Sequence, residues 1–204
     1  MYRLLHSLRK KYTPLLSELT SYQEVVVLKQ YFTPYECEAI LNIGNGIQLR
    51  PGKVMSEGAK FIVDHSLRNA TSGTLQCTGE TSWIFEKLED AVNKCNKLFY
   101  KFKLIGFIEE LQFIRYTPGG HYVWHKDFGG GPLSRRKLSV TLQLTDSSEY
   151  EGGEIEFNYG KPWVAPNDRG RLVVFPSFQL HKVNAVKSGM RYVLVGWVNG
   201  PPFT

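Results

Sequence analysis

The sequence predicts a mainly β protein with supporting helices, an α+β chain whose strands build a β-sandwich or jelly roll. Helix-like segments stand in the first half, and short strand-like runs fill the second. Turn-forming clusters divide those runs: GGGP at 129–132, DSSEYEGG at 146–153 and PNDRG at 166–170. Nineteen glycines and four tryptophans also favour a turn-rich β core. At 204 residues, with no repeat or linker, the chain fits a single domain. Residues 1–103 would supply helical and strand support, and 104–200 the jelly-roll core.

Taken in order, MYRLLHSLRKKY at the N-terminus has leucines at helical spacing and predicts a short amphipathic helix. Val25 to Leu28 is β-branched and predicts a buried strand. In Thr33-Pro34-Tyr35-Glu36, threonine can cap, proline fits the first helical turn and glutamate closes a capping box. A helix should follow to about Ile43, stopped by Gly44 and Gly46. Residues 48–64 contain strand-like ends around a loop, and 68–74 is polar and reads as a surface crossing in extended form. Ser82 opens a second helix whose stripe of Trp83, Phe85, Leu88, Val92, Cys95 and Leu98 predicts core contact against a sheet. Strands are then expected over 104–116, 137–144, 154–157, 171–175, 178–186 and 191–198.

Composition narrows the function classes. With 42% hydrophobic and 22% charged residues, the chain has the balance of a soluble globular protein. Cys37, Cys77 and Cys95 are odd in number and form no C-x-x-C pair, which predicts a reducing, cytoplasmic setting without a disulfide framework. No apolar run reaches membrane-spanning length, and no secretory signal is evident. The formal charge of +6 would suit small anions as well as acidic polymers.

The chemistry concentrates in YTPGGHYVWHKD, residues 116–127. His125 and Asp127 are two apart, so in an extended segment both leave the same face. An imidazole and a carboxylate that converge need one further ligand, and His181 follows 56 residues later, just past LVVFP. Two histidines and one carboxylate with open coordination positions are the donor set of a non-haem Fe(II) oxygenase. An isolated H-x-D is a weak signal. Here, however, Tyr116, Gly119, Tyr122, His125 and Asp127 recur at a spacing of three, three, three and two, and Arg191 follows on an apolar run. His121 and His125 form an H-x-x-x-H pair that would bind zinc on a helix. Pro118, Gly119 and Gly120 argue against a helix there, so His121 is expected in a loop. His6 and His65 have no ligand-spaced partners.

These positions resemble the prolyl 4-hydroxylase branch of the 2-oxoglutarate and Fe(II)-dependent dioxygenases, whose motif Y-x-x-G-x-x-Y-x-x-H-x-D is matched at all five positions. The resemblance covers about residues 22–203 and is strongest over 113–198. It implies a double-stranded β-helix with the metal triad in its mouth. It also implies Fe(II), 2-oxoglutarate and O2 as cofactor and cosubstrates, with ascorbate as an accessory reductant. His125, Asp127 and His181 would hold iron. Arg191 would hold the distal carboxylate of 2-oxoglutarate, because a planar guanidinium makes two parallel hydrogen bonds to a carboxylate. Tyr116 would reach the cosubstrate through its hydroxyl, and Thr141 and Gln143 would line the barrel beside it. Asp127 points to hydroxylation, since related halogenases lack this carboxylate. Trp124 would wall the substrate groove or pack inside.

The implied reaction is hydroxylation of a peptidyl residue, most plausibly proline in a peptide or protein substrate, with release of succinate and CO2. Two alternatives belong to other classes. The same chemistry on nucleic acid is disfavoured, because HKVNAVKSGMRYVLV lacks the R-x-N-x-T-x-R arrangement of the nucleic-acid demethylases; a free small molecule is the other target. A non-catalytic jelly-roll binding module is opposed by the presence of all three ligands and the arginine.

Overall fold

The computed structural model describes residues 25–56 and 60–203, and the backbone of 18–19. The helix expected over 1–12 and His6 lie outside the described residues.

The N-terminal part contributes β1 (Glu18–Leu19), β2 (Val26–Leu28), helix α1 (Pro34–Asn45), β3 (Arg50–Pro51), β4 (Val54–Met55), β5 (Phe61–Ile62), β6 (Arg68–Asn69), β7 (Thr71–Leu75) and helix α2 (Ser82–Cys95). A π-helical turn, Asn96–Tyr100, ends α2. The second half contributes β8 (Leu111–Tyr116), β9 (His121–His125), β10 (Arg136–Gln143), β11 (Tyr150–Gly152), β12 (Ile155–Asn158) and β13 (Pro162–Val164). It closes with β14 (Leu172–Pro176), β15 (His181–Val183), β16 (Val186–Gly189) and β17 (Arg191–Asn199).

Two antiparallel sheets form the jelly roll. The major sheet runs β1-β2-β14-β10-β17-β8-β7-β3 and the minor sheet β13-β12-β15-β9-β6. Residues on one face of the major sheet, among them Leu111, Phe113, Leu138, Val140, Leu142, Leu172, Val174 and Leu194, join Ile40, Ile84, Leu88, Ala91 and Val92 of the two helices in the largest core cluster. The other face meets the minor sheet through two smaller clusters, one around Val173, Phe175, Ile155 and Phe157, the other around Ile114, Tyr116, Val183 and Val193. Because both faces are covered, all eight residues of β10 are buried. Their alternation sends Leu138, Val140 and Leu142 to the helices and Ser139, Thr141 and Gln143 between the sheets.

Thr33 caps α1 as expected: its hydroxyl accepts from Glu36 N at 3.2 Å, and Thr33 N donates to Glu36 Oε2 at 2.7 Å. The helix does not stop at Gly44, which is buried within it. A β-carbon at Gly44 would lie 2.3 Å from the Phe113 ring, so glycine here permits helix and sheet to approach rather than ending the helix. On α2 the buried stripe is Ile84, Leu88, Ala91, Val92 and Cys95, with Trp83, Phe85 and Leu98 only partly buried.

Several strand expectations shift. The one over 104–116 begins at Leu111; before it, an isolated bridge joins Gly106, at φ +130°, to Asn199. The polar stretch 68–74 is extended, as expected, but more than a surface crossing: β7 pairs with β8 inside the major sheet, where the ladder takes up its backbone groups. Within the expected turn 146–153, β11 pairs with β16, and β13 adds an edge to the minor sheet. The run 178–186 divides, since the chain leaves the minor sheet after Val183 and pairs elsewhere from Val186. No helix among the described residues is long and apolar enough to cross a membrane.

Candidate metal centre

Strand pairing assembles the predicted ligands. His125 ends β9 and His181 opens β15, and the two are direct register partners. Asp127 follows two residues after His125 and turns inward again. Ligand atoms of His125, Asp127 and His181 lie within 4.8 Å of one another. His125 Nε2 stands 3.7 Å from Asp127 Oδ1, and His181 Nε2 3.7 Å from Oδ2. One facial donor set, two imidazoles and a carboxylate, therefore faces a common point, and its chemistry fits a divalent iron with open positions.

Each imidazole is held from behind. His125 Nδ1 lies 2.8 Å from Val123 O and His181 Nδ1 2.9 Å from Gln179 O. A carbonyl can only accept, so both protons sit on Nδ1 and both Nε2 lone pairs face the metal point. Ring packing fixes the tilt: Tyr122 stacks on His125 at 3.4 Å, and Phe175 meets His181 edge-on at 4.8 Å. Burial, with the neighbouring His181, pushes His125 down to about 3, so that it stands as a neutral ligand. Burial opposes ionisation of Asp127, but His181, His125, the Ser139 hydroxyl and Arg136 outweigh it and hold the carboxyl below its usual range.

A second layer orients Asp127. Ser139 Oγ donates to Asp127 Oδ2 at 2.6 Å, and Ser177 Oγ lies 3.0 Å from Ser139 Oγ. Arg136 Nη1 reaches Asp127 O at 3.4 Å, while its Nε donates to Glu109 Oε1 at 2.9 Å. The same guanidinium lies over the Trp197 ring at 3.6 Å. Short motifs do not reveal these supports. The visible signal was the polar alternation Ser139, Thr141, Gln143 between buried apolar residues.

The triad opens into a cavity of about 530 Å³ between the sheets, which Tyr116, Thr141 and Arg191 also line. Arg191 is 2% exposed. Its Nε donates to Gln143 Oε1 at 3.1 Å and it lies 5.4 Å from the Tyr116 ring, while its buried Nη1 has no hydrogen-bond partner. An orphaned guanidinium N–H in such a place fits an incoming carboxylate. Gln143 is not among the cavity-lining residues. It stands behind Arg191 and donates to Thr145 O and Tyr150 Oη at 3.2 and 3.0 Å, so its placement is that of a support for the guanidinium.

The remaining candidates separate cleanly. His121 opens β9 instead of lying in a loop, and both of its ring nitrogens face carbonyls, Gly119 O at 2.9 Å and Ser66 O at 3.2 Å. His65 is exposed. Trp124 lies at the cavity mouth, with Lys182 Nζ 4.8 Å from its ring centroid.

Known proteins share this core. Residues 111–199 match the family model of the 2OG-Fe(II) oxygenase superfamily. A PKHD-type hydroxylase of Prochlorococcus marinus (strain NATL2A) is 39% identical over 146 residues, which are 70% of this chain and 65% of that one. The chain spans about half the length of the curated relatives it matches, for example 46% of a PKHD-type hydroxylase from Synechococcus sp. (strain CC9902). Among solved structures, a Pseudomonas putida prolyl-4-hydroxylase superposes with a TM-score of 0.71 at 18% identity, covering 92% of this chain and 97% of that one. A similar fold, at TM-score 0.73 and 15% identity over 98% of this chain and 93% of the other, occurs in a Trichoplax adhaerens prolyl hydroxylase in complex with a peptide fragment of the hypoxia inducible factor oxygen degradation domain.

Proposed function

We propose that this chain, whose residues 111–199 match the family model of the 2OG-Fe(II) oxygenase superfamily, is an Fe(II)- and 2-oxoglutarate-dependent dioxygenase that hydroxylates a peptidyl residue, most plausibly proline. The observation that carries this reading is one cavity holding the convergent triad His125, Asp127 and His181 together with the unpartnered buried Nη1 of Arg191. Prolyl hydroxylases of the same fold, one of them solved with a peptide, support a peptide or protein substrate.

In this reading the three ligands hold Fe(II) on one face and leave the other open. The iron, when bound, would supply the oxidative chemistry in which O2 and 2-oxoglutarate yield succinate and CO2, one oxygen atom entering a substrate C–H bond as hydroxyl and the other the new carboxylate of succinate. The protein's own share is placement. Arg191 receives the distal carboxylate of 2-oxoglutarate, Gln143 keeps the guanidinium turned towards the cavity, and Tyr116 and Thr141 form the wall between that carboxylate and the triad. Ser139 and Arg136 keep Asp127 aimed, the first through its carboxylate and the second through its backbone carbonyl. Val193, Ile155 and Val183 give the pocket apolar walls that exclude water. The whole chain would act as one catalytic unit, with α1 and α2 bracing the outer face of the major sheet.

The test is succinate formation with Fe(II), 2-oxoglutarate and a panel of proline-containing peptides, with the modified residue located by mass spectrometry. Iron-dependent turnover and a mass gain of one oxygen on proline are expected. Absence of iron-dependent 2-oxoglutarate consumption in a protein that binds the metal would overturn the enzyme reading.

A further inference from the structure

Four arginines are buried among the described residues: Arg68, Arg136, Arg171 and Arg191. Arg136 pairs with Glu109, Arg171 pairs with Asp168, and Arg191 faces the space proposed for the cosubstrate carboxylate. Arg68 is left over. It is 7% exposed and lines the same cavity. Its Nη1 donates to Lys53 O at 3.1 Å and its Nη2 to Gln112 Oε1 at 3.3 Å, and its guanidinium lies 5.1 Å from the Tyr122 ring centroid. All three partners are neutral, and none of the ion pairs among the described residues involves Arg68. A buried charge without a counter-ion is costly, and native proteins pair such groups.

Among the described residues, nothing else in the cavity can neutralise it. Asp127 is the sole carboxylate among the lining residues, and the metal needs it. With iron and dianionic 2-oxoglutarate in place, the formal charges of the metal, Asp127, the cosubstrate and Arg191 cancel, and Arg68 remains uncompensated. Arg50 and Lys53, both exposed, line the cavity on the same flank and add to its positive field. Gly52 lets that segment close onto Arg68: a β-carbon there would stand 2.8 Å from Arg68 Nε. Each Nη carries a second N–H beyond those already used. By contrast, the exposed apolar side chains at the mouth are Phe61, Leu67, Val123 and Trp124.

We propose that Arg68, flanked by Arg50 and Lys53, is an anion subsite for the substrate, and that the preferred substrate is an acidic peptide with an aspartate or glutamate near the residue presented to the metal. This rests on the reading of the chain as a peptide hydroxylase. A pocketed guanidinium beside an apolar rim suits one carboxylate next to an apolar residue. A nucleic acid would ask for cations spaced along a phosphate track.

The experiment measures binding without turnover. Protein loaded with Mn(II) and a non-oxidisable 2-oxoglutarate analogue is titrated with matched fluorescent peptides, each with one central proline flanked by aspartates, asparagines or lysines. The aspartate peptide should bind about tenfold or more tightly than the asparagine peptide, and the advantage should shrink as salt rises. Arg68→Gln should reduce that preference to roughly twofold or less, and Arg68→Lys should restore part of it. If Arg68→Gln does not fold, the Arg50→Gln/Lys53→Gln double variant should show a smaller loss of the same preference. Equal affinity of the wild-type protein for the aspartate and asparagine peptides would overturn the proposal. So would an Arg68→Gln variant that weakens both peptides equally, or a single-stranded oligonucleotide that outbinds the aspartate peptide. Oxygen transfer is scored separately. Acidic preference without hydroxylation would remove the hydroxylase reading and keep the subsite, whereas equal hydroxylation of acidic and neutral peptides would do the reverse.

Discussion

The two faces of the major sheet do different work from the same strands. On the face towards α1 and α2, Leu138, Val140, Leu142 and Phe113 pack in an apolar cluster. On the face towards the minor sheet, Ser139, Thr141, Gln143 and Arg191 are equally buried but polar; Thr141 and Arg191 line a cavity, while Ser139 and Gln143 hold the Asp127 and Arg191 side chains that face it. Apolar burial stabilises the fold at about 25 cal/mol per Å². Buried polar groups cost stability unless paired, and several here are aimed at space that a metal or a carboxylate would fill. The difference teaches that stability and chemistry are separated by strand alternation alone, one residue apart along β10.

Substitutions on each face should therefore fail in different assays. The largest effect is expected at the metal. Asp127→Ala should abolish stoichiometric Fe(II) retention while the metal-free protein stays folded, as read by metal analysis beside circular dichroism. On the opposite face, Phe113→Ala should cost about 3–5 kcal/mol in a urea unfolding series, because a fully buried ring leaves a cavity. Metal affinity of the folded fraction should change little. Arg191→Gln should weaken 2-oxoglutarate binding by about 10- to 100-fold, the loss expected for a charged, buried hydrogen-bonding partner, with Fe(II) affinity kept. Isothermal titration with each ligand separates the two. Ser139→Ala removes the donor to Asp127 Oδ2 and should lower metal affinity by about 10-fold, whereas Ser139→Thr should keep most of it. Smallest is Thr33→Ala, which opens the capping box of α1 and should cost about 1 kcal/mol of stability without touching either ligand.

The same separation decides what the sequence could reveal. His125 and Asp127 are legible because a two-residue spacing on a strand fixes their common face, and His181 and Arg191 because each stands next to an unmistakable apolar run. The cap at Thr33 is legible for the same local reason. Ser139, Ser177, Glu109 and Arg136 act through partners 9 to 38 residues away in the chain, so no short pattern carries them. Arg68 was hidden in a polar stretch, 68–74, whose backbone is satisfied inside sheets and therefore needs little apolar character. Gly44 misled in the other direction. Its signal as a helix stop is local, but contact with the Phe113 ring overrides it. Gln143, expected at the cosubstrate, instead holds Arg191 in place, a distinction between touching and supporting that only side-chain geometry makes.

The central claim is that His125, Asp127 and His181 form one iron site that shares a cavity with the Arg191 carboxylate site. Anaerobic titration of the metal-free protein with Fe(II) in the presence of 2-oxoglutarate tests it most directly, through the visible charge-transfer absorption of an Fe(II)–2-oxoacid chelate. The account predicts that the band saturates at one iron per chain, is absent in His181→Ala and Asp127→Ala, and in Arg191→Gln appears only at higher 2-oxoglutarate. An undiminished band in the ligand variants, or none in the wild-type protein, would contradict it.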